Sequence, residues 1–373
     1  MNRRAFLAST LSSPLLGAST KVAVDPDGML SINGRRTFVL GTYSLPKVTS
    51  PWKEVHEAGL NVVHVGGKPE ELQLAKTNGL NMWVTLGSID PAKRAQDEAR
   101  IRKQVDALKG DPALLFWETE DEPAYIWNSP GRIRVPAERI IETYSFVKRF
   151  DPAHPFYLNH APANLVSTLQ KYNEGTDIVA TDIYPVIPPS IPPMYGLFED
   201  GRQGDFLNNY ISQVGQYTRK MRQVAGPSRA VFMVLQAFAW EDLRKEKRDP
   251  KLVLFPTRDQ LRFMAYQAIV NGANGLLYWG LEYAPAAFWA DLKKVLVEVS
   301  SLGALLTKSP DKQVKVSYHD LGHSIDLGLE WRYLGGTLLV VNGDPNTVEA
   351  TLDFAGKTVR ETFAPFSVKV FTK

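Results

Sequence analysis

The stretch Ala230-Val-Phe-Met-Val-Leu235 places six apolar residues in succession, with no polar residue between them. A strand with one face in water alternates between apolar and polar residues, so this run predicts a strand that is buried on both faces. Both faces of a strand are buried where helices cover a parallel sheet. The run therefore indicates an α/β protein built on a parallel sheet.

Similar apolar runs recur along the chain and alternate with segments of helical periodicity. The predicted strands are Phe38–Ser44, Asn61–Gly66, Asn81–Gly87, Leu114–Asp121, Phe156–Asn159, Asp177–Tyr184, Ala230–Ala237 and Gly275–Gly280. Eight such units in succession favour a closed (β/α)8 barrel, a TIM barrel, over an open doubly wound sheet. The lack of a Gly-x-Gly-x-x-Gly sequence at a strand-to-helix turn favours the same choice.

Two smaller all-β parts flank the predicted barrel. The turn Asn33-Gly34, between short alternating runs, predicts a hairpin that enters the barrel. After residue 307 short apolar runs such as Thr337–Val341, Ala350–Phe354 and Ser367–Phe371 alternate with turn residues. We therefore predict a barrel with its N-terminal hairpin over residues 21–307 and a small C-terminal all-β domain, a β-sandwich, over residues 308–373.

Residues 1–20 have the layout of an export signal. The pair Arg3-Arg4 precedes a short apolar stretch and small residues near Gly17, and it resembles the twin-arginine type of signal. The apolar stretch is too short to be a permanent membrane anchor. We expect an exported protein, periplasmic or extracellular, that is not bound to a membrane once the signal is removed.

Composition excludes several classes of function. The chain has 373 residues, 44% of them hydrophobic, and a formal net charge of +3. It has no long run of Lys or Arg, so we expect no nucleic-acid partner. It has no cysteine, so disulfides and thiolate metal sites are excluded. The sequence makes no prediction of the oligomeric state.

The end of the fourth predicted strand, Trp117-Glu-Thr-Glu-Asp-Glu-Pro123, carries four carboxylates within five residues. Barrel enzymes place their catalytic groups at the C-terminal ends of the strands. Alternation along a strand predicts that Glu118, Glu120 and Glu122 share one face. Crowded like charges raise the pKa of at least one carboxyl group, and a protonated acid is what cleavage of a glycosidic bond requires.

Asp121-Glu122-Pro123 resembles the fourth-strand motif of barrel glycosidases of clan A, in which an Asn-Glu pair supplies the general acid/base. Gly28–Gly34 with Leu40–Tyr43 is similar to their entry hairpin and first strand, and Leu277-Tyr-Trp279 is similar to their eighth strand with its substrate-platform tryptophan. The resemblance covers about residues 28–307. It implies that Glu122 is the acid/base and that Asp121 replaces the usual asparagine.

The chain departs from that pattern at the seventh strand. Clan A retaining enzymes have a nucleophilic glutamate there, whereas this strand ends in Gln236. Asp182, at the end of the sixth strand, is our preferred second carboxylate, as a base for water. Glu282, after the eighth strand, is another candidate. Glu120 is a third candidate. An acid two residues before the acid/base resembles the pattern of family 18 chitinase-like barrels, in which assistance by the substrate replaces a protein nucleophile.

Sugar sites combine flat apolar rings with polar groups. The candidate substrate-binding residues at the strand ends are Tyr43, Asn159, His160, Tyr184, Gln236 and Trp279, and further rings in the following loops are Trp127, Trp240 and Tyr283.

The sequence thus predicts a glycoside hydrolase that cleaves O-glycosidic bonds in a poly- or oligosaccharide, with no cofactor and no metal. A metal-dependent hydrolase is disfavoured, because the first strand has no His-x-His pair and His56 and His64 are interpreted as structural. The alternative is a non-catalytic carbohydrate-binding barrel derived from a glycosidase, which Gln236 and Asp121 favour.

Overall fold

A closed barrel of eight parallel strands forms the centre of the protein. The computed structural model describes residues 20–126, 129, 132–189, 195–197, 203–205, 208–311, 313–319 and 328–372. The barrel strands are β4 (Val39–Thr42), β5 (Val62–Val65), β6 (Asn81–Thr85), β7 (Leu114–Asp121), β8 (Phe156–His160), β9 (Ile178–Ile183), β12 (Ala230–Gln236) and β13 (Gly275–Trp279). Pairing of β13 with β4 closes the barrel. All eight predicted strands are present, within two residues at either end.

Helices cover the outside of the barrel and bury their apolar sides against the strands. They are α1 (Pro51–Glu57), α2 (Pro69–Thr77), α3 (Arg94–Leu108), α4 (Ala137–Lys148), α5 (Val166–Gln170), α6 (Gln213–Ala225), α7 (Arg258–Val270), α8 (Ala286–Ser301) and α9 (Gly303–Leu306). α8 ends at Ser301, and α9 begins after Leu302 at Gly303, a poor helix former.

Large side chains fill the lower part of the barrel lumen. Trp83 stacks on Phe116 with ring centroids 5.6 Å apart, and Tyr157 and Phe232 pack on the same rings. These residues are completely buried. The lumen is therefore a packed core rather than a channel, and a ligand has room only above it, at the C-terminal ends of the strands.

A three-stranded antiparallel sheet of β1 (Val22–Val24), β2 (Leu30–Ile32) and β3 (Arg35–Thr37) precedes the barrel. The predicted turn joins β2 to β3, with positive φ at both Asn33 and Gly34, as a two-residue hairpin loop requires. Val22 and Leu30 pack against the lumen core. The sheet therefore closes the N-terminal end of the barrel.

The described part of the C-terminal domain contains two three-stranded antiparallel sheets. One contains β14 (Val314–Tyr318), β17 (Val348–Phe354) and β18 (Lys357–Phe363), and the other contains β15 (Leu329–Leu334), β16 (Thr337–Asn342) and β19 (Val368–Thr372). Their apolar side chains form one shared core, so the predicted β-sandwich is confirmed. A further two-stranded sheet pairs β10 (Tyr195–Leu197) with β11 (Gln203–Asp205).

No helix within the described ranges is long and apolar enough to cross a bilayer. Nearly all of the predicted export signal, residues 1–19, lies outside those ranges.

Candidate active site

A cavity of about 390 Å³ opens above the lumen core. Its walls come from the ends of the barrel strands and from the loops that follow them. The lining residues are Tyr43, His64, Thr85, Glu118, Asp121, Glu122, Asn159, Asp182, Tyr184, Val234, Phe238, Trp240, Leu243 and Trp279. Four of them are carboxylic acids, and three of those four lie within Glu118–Glu122. The acidic end of β7 is thus part of the cavity wall.

A β-bulge at the end of β7 decides which of its acids face the cavity. Glu118 pairs with Tyr157 of β8, but Asp121 pairs with Asn159, so β7 advances three residues while β8 advances two. The extra residue shifts the alternation of side chains. Glu118 and Asp121 consequently lie on the cavity side, and the prediction that Glu118, Glu120 and Glu122 share a face was wrong.

Glu120 points away from the cavity because of this bulge. Its carboxylate accepts hydrogen bonds from the Ser88 backbone N–H at 3.1 Å and from Ser88 Oγ at 2.7 Å. It also pairs with Arg134 at 3.2 Å. In this position Glu120 anchors the loop after β6. The chitinase-like pattern requires an acid two residues before Glu122 in the same cavity, and Glu120 does not lie there.

Glu122 follows β7 in a backbone conformation that few side chains adopt, with φ at +42°. Residues other than glycine are uncommon in this left-handed region and concentrate at functional sites. The Glu122 backbone N–H donates to the carbonyl of Asn159 at 2.9 Å, which holds the turn against β8. The conformation brings the Glu122 side chain to the cavity wall.

The carboxyl groups of Glu122 and Asp182 are hydrogen-bonded to each other. Asp182 lies at the end of β9 and is 5% exposed. Burial raises the pKa of Asp182 well above its ordinary value, and the negative charges of Glu122 and Asp121 raise it further. A hydrogen bond between two carboxyl groups requires a proton, so the pair keeps one where isolated carboxyls would have lost both.

Asn159 links this pair to Asp121. Its side-chain amide donates to Asp121 Oδ1 at 2.9 Å and to Asp182 Oδ1 at 3.3 Å. Asp121 is exposed as a residue, but its carboxyl group is partly desolvated by the surrounding protein, and this desolvation raises its pKa. The hydrogen bond from Asn159 lowers the same pKa and only partly offsets the shift. Asp121, Asn159, Asp182 and Glu122 therefore form one polar cluster.

Glu118 is the deepest acid of the cavity and is 2% exposed. It accepts hydrogen bonds from Trp83 Nε1 at 3.1 Å and from Thr85 Oγ1 at 2.8 Å. Burial and the charge of Asp121 raise the pKa of Glu118 to about 7, although its hydrogen bonds oppose the shift. Glu118 is thus a titratable group in the physiological range.

A histidine and two tyrosines complete the floor around Glu118. His64 Nε2 lies 2.9 Å from Thr85 Oγ1 and 4.0 Å from Glu118, and burial lowers the pKa of His64 to about 4. The Tyr43 hydroxyl lies 2.6 Å from that of Tyr157. His64, which was expected to be structural, is part of the cavity wall and is neutral at pH 7.

Aromatic rings also line the cavity. Tyr184 stacks on Trp279 with ring centroids 5.9 Å apart and an interplanar angle of 29°. Trp240 lies 6.1 Å from Tyr184 and donates its Nε1–H to the Tyr184 carbonyl at 3.0 Å. Phe238 packs edge-on against Trp279 at 4.9 Å. The cavity lining therefore combines carboxylic acids with flat apolar rings, as sugar sites do.

The structure brings six of the predicted site residues together in this cavity. They are Tyr43, Glu122, Asn159, Asp182, Tyr184 and Trp279. Trp240 also lines it, whereas Trp127 lies outside the described residues.

The other predicted residues lie elsewhere and have structural partners. Glu282 accepts a hydrogen bond from Ser44 Oγ. Gln236 is fully buried and bonds the backbone N–H and carbonyl of Val186 at 2.9 and 3.0 Å. His160 is also fully buried, packed on the ring of Tyr172 at 5.6 Å. None of the three lines the cavity.

Glu118, Asp121, His64 and Thr85 line the cavity but were not predicted as site residues. His64 is the last but one residue of β5, and Thr85 is the last residue of β6. His64 lies two positions after Val62, and Thr85 lies two positions after Trp83. Val62 and Trp83 face inward and belong to the lumen core. This alternation is visible in the sequence once the strands are assigned.

Solved structures with this fold include glycoside hydrolases. A structure described as a glycoside hydrolase aligns over 95% of this chain and 93% of its own, with 13% identity and a TM-score of 0.58. A family 5 glycoside hydrolase from Bacteroides vulgatus aligns over 95% and 90%, also with 13% identity and a TM-score of 0.58. The fold that the clan A resemblance implied is confirmed.

A β-glucuronidase from Bacteroides uniformis, solved with a covalently bound cyclophellitol-6-carboxylate aziridine, aligns over 93% of this chain but only 48% of its own length, with 11% identity and a TM-score of 0.54. No protein-family model and no curated protein sequence matches this chain. Across the described ranges, no cluster of three or more His, Cys, Asp or Glu is arranged to hold a metal ion.

The raised pKa of Glu118 predicts a pH-dependent stability. Because the folded state favours the neutral form, this stabilisation is complete below the ordinary value of 4.5 and is lost as the pH rises through about 7. Between about pH 4.5 and 8, the unfolding free energy of the wild type should fall by about 3 kcal/mol more than that of the Glu118→Gln variant. Urea denaturation at both pH values measures the difference.

The control is Glu120→Gln, which changes a carboxyl group on the same strand but outside the cavity. It should follow the wild-type pH dependence. An equal loss of stability in Glu118→Gln and in the wild type would contradict the assignment of Glu118.

Proposed function

We propose that the protein is a glycoside hydrolase that cleaves O-glycosidic bonds in a poly- or oligosaccharide. The observation that carries the proposal is the hydrogen-bonded pair of Glu122 and Asp182, facing the rings of Tyr184 and Trp279 across one cavity. A protonated carboxyl group is the acid that a glycosidic oxygen needs as it leaves. The rings offer the apolar surface on which a pyranose packs.

In this proposal Glu122 is the general acid and Asp182 maintains its proton. The contact with Glu122 favours this supporting role for Asp182, because the two catalytic carboxyl groups of glycosidases are about 5–5.5 Å apart in retaining and about 6.5–9.5 Å apart in inverting enzymes. A direct hydrogen bond is shorter than either. We assign the role of second carboxyl group to Glu118 or Asp121, which line the same cavity.

The Glu122→Gln variant should lose activity by about 10²–10⁴-fold, because general acid catalysis contributes about that factor. The matched control is Glu120→Gln, which removes a carboxyl group two residues away that lies outside the cavity and should retain near wild-type activity. Release of reducing ends from a panel of polysaccharides by the mature protein measures both variants.

The second candidate function is non-catalytic carbohydrate binding. It is favoured by Gln236, whose amide is held by the backbone of Val186 where clan A retaining enzymes have a nucleophile. A binding protein would show affinity for a polysaccharide without new reducing ends, and Glu122→Gln would leave that affinity intact. This outcome would replace the hydrolase proposal.

We also propose that the protein is exported to the periplasm or exterior. The support is the sequence Arg3-Arg4 ahead of an apolar stretch. Changing both arginines to lysine should retain the precursor in the cytoplasm, whereas the wild type should be recovered outside it with about 20 residues removed. Fractionation of producing cells, followed by N-terminal sequencing, distinguishes the two, and unchanged export of the variant would contradict the twin-arginine assignment.

A further inference from the structure

A second concave surface lies where the barrel meets the C-terminal domain, and it encloses about 390 Å³. It is lined by residues 209–211 ahead of α6, by Asp259 and Gln260 in the first turn of α7, and by Pro365 and Phe366 in the turn between β18 and β19. We call this surface the interdomain groove. Its volume lies within the range of sites that bind small molecules.

The interdomain groove lies at the same end of the barrel as the candidate active-site cavity. α6 and α7 each follow the C-terminal end of a barrel strand, so their first turns lie at that end. The loop after β12 supplies Trp240 and Leu243 to the cavity and then leads into α7, which supplies Asp259 to the groove. A ligand that extends out of the cavity on this side would meet the groove.

Two aromatic rings form the apolar part of the groove. The rings of Tyr210 and Phe366 have centroids 5.6 Å apart and an interplanar angle of 41°. Phe366 is held from below by the buried ring of Phe263, which packs edge-on at 5.7 Å. Tyr210 is 46% exposed, and its backbone N–H donates to Asn208 Oδ1 at 2.9 Å. The exposed ring therefore lies on a supported segment and offers a flat apolar face.

Phe366 occupies a strained backbone conformation, with φ at +49°. It follows Pro365 in the turn, and a positive φ at the residue after such a proline is usually taken by glycine or asparagine. A bulky side chain in this region is costly, and strain of this kind concentrates at functional sites. Glycine would relieve the strain but would remove the ring from the groove.

Polar groups surround the two rings. Gln260 Oε1 accepts from the Thr257 backbone N–H at 2.9 Å, which fixes the amide and leaves its Nε2 as a donor. The side chains of Asp259 and Asn209 are exposed and make no hydrogen bond with another described residue. Donors and acceptors beside a flat ring suit a neutral sugar, whose hydroxyl groups both donate and accept.

We propose that the interdomain groove binds a sugar unit of the same polysaccharide whose chain enters the candidate active-site cavity. The inference rests on the proposed function and deepens it, because it makes the substrate a polymer long enough to reach both sites. A chain held at one site binds the other intramolecularly, which raises its overall affinity. The groove thus favours long chains over short oligosaccharides.

The test is affinity electrophoresis in native gels that contain soluble β-glucan, mannan, galactan or xylan, in which retardation measures the dissociation constant. Every protein carries Glu122→Gln, so that the polymer is not cut during the run. Tyr210→Ala removes the exposed ring, Tyr210→Phe keeps it, and Asp259→Ala removes the carboxylate. The matched control is Trp331→Ala, which removes an aromatic side chain that is 38% exposed on β15, outside the groove.

With the polysaccharide that retards the protein, Tyr210→Ala should raise the dissociation constant about tenfold, because it removes the apolar face on which the sugar packs. Asp259→Ala should raise it severalfold, because an acceptor for sugar hydroxyl groups is lost. Tyr210→Phe and Trp331→Ala should leave it within about twofold.

An unchanged dissociation constant in Tyr210→Ala, an equal loss of affinity in Trp331→Ala, or no retardation by any of the four polymers would overturn the inference. Release of reducing ends by the protein with Glu122 intact separates this result from the hydrolase proposal. If reducing ends appear but binding ignores Tyr210, the hydrolase proposal stands and the inference falls. If binding depends on Tyr210 but no reducing ends appear, the groove stands as a carbohydrate site and the hydrolase proposal falls.

Discussion

The contact between Glu122 and Asp182 is the constraint on which the rest of the site depends. Two ionised carboxyl groups cannot remain in hydrogen-bond contact, because their repulsion in a partly dehydrated cavity is large. The contact therefore fixes a proton at this position. The end of β9 supplies one partner, and the left-handed turn after β7 supplies the other. Both elements must be held rigidly for the proton to stay between them.

The barrel provides this rigidity from below. The rings of Trp83, Phe116 and Tyr157 fill the lumen directly under the acids, and the N-terminal sheet closes the far end. The same rings make the floor apolar, which raises the pKa of Glu118 above them. A floor open to water would stabilise ionised carboxylates and release the shared proton. The packed lumen thus has a chemical consequence as well as a structural one.

Much of the fold and part of the site could be predicted from the sequence. Continuous apolar runs such as Ala230–Leu235 identified the strands, because burial on both faces leaves an unambiguous pattern. The motif ending in Asp121-Glu122-Pro123 drew attention to acids that line the cavity, and Asp182, also a candidate, lines it too. Both inferences use only the position of a residue relative to the end of a strand.

The orientation of the acids on β7 could not be predicted in this way. The bulge between Glu118 and Asp121 depends on pairing with β8, which the sequence of β7 alone does not encode. Without the bulge Glu120 would face the cavity. The roles of Gln236 and Glu282 were likewise set by distant partners, the backbone of Val186 and the hydroxyl of Ser44. The local sequence pattern predicts where the strands lie, whereas pairing between distant segments determines which side chains are in contact.

The shared proton itself can be observed by NMR of carboxyl carbons in protein labelled with ¹³C at aspartate and glutamate side chains. Spectra of the wild type, assigned by the Asp182→Asn and Glu122→Gln variants, would be followed across a pH titration. The expected result is that the pair of Asp182 and Glu122 loses its protons in two separated steps, the second of them well above the ordinary carboxyl value. Ionisation of both carboxyl groups near the ordinary values of about 4 would contradict it.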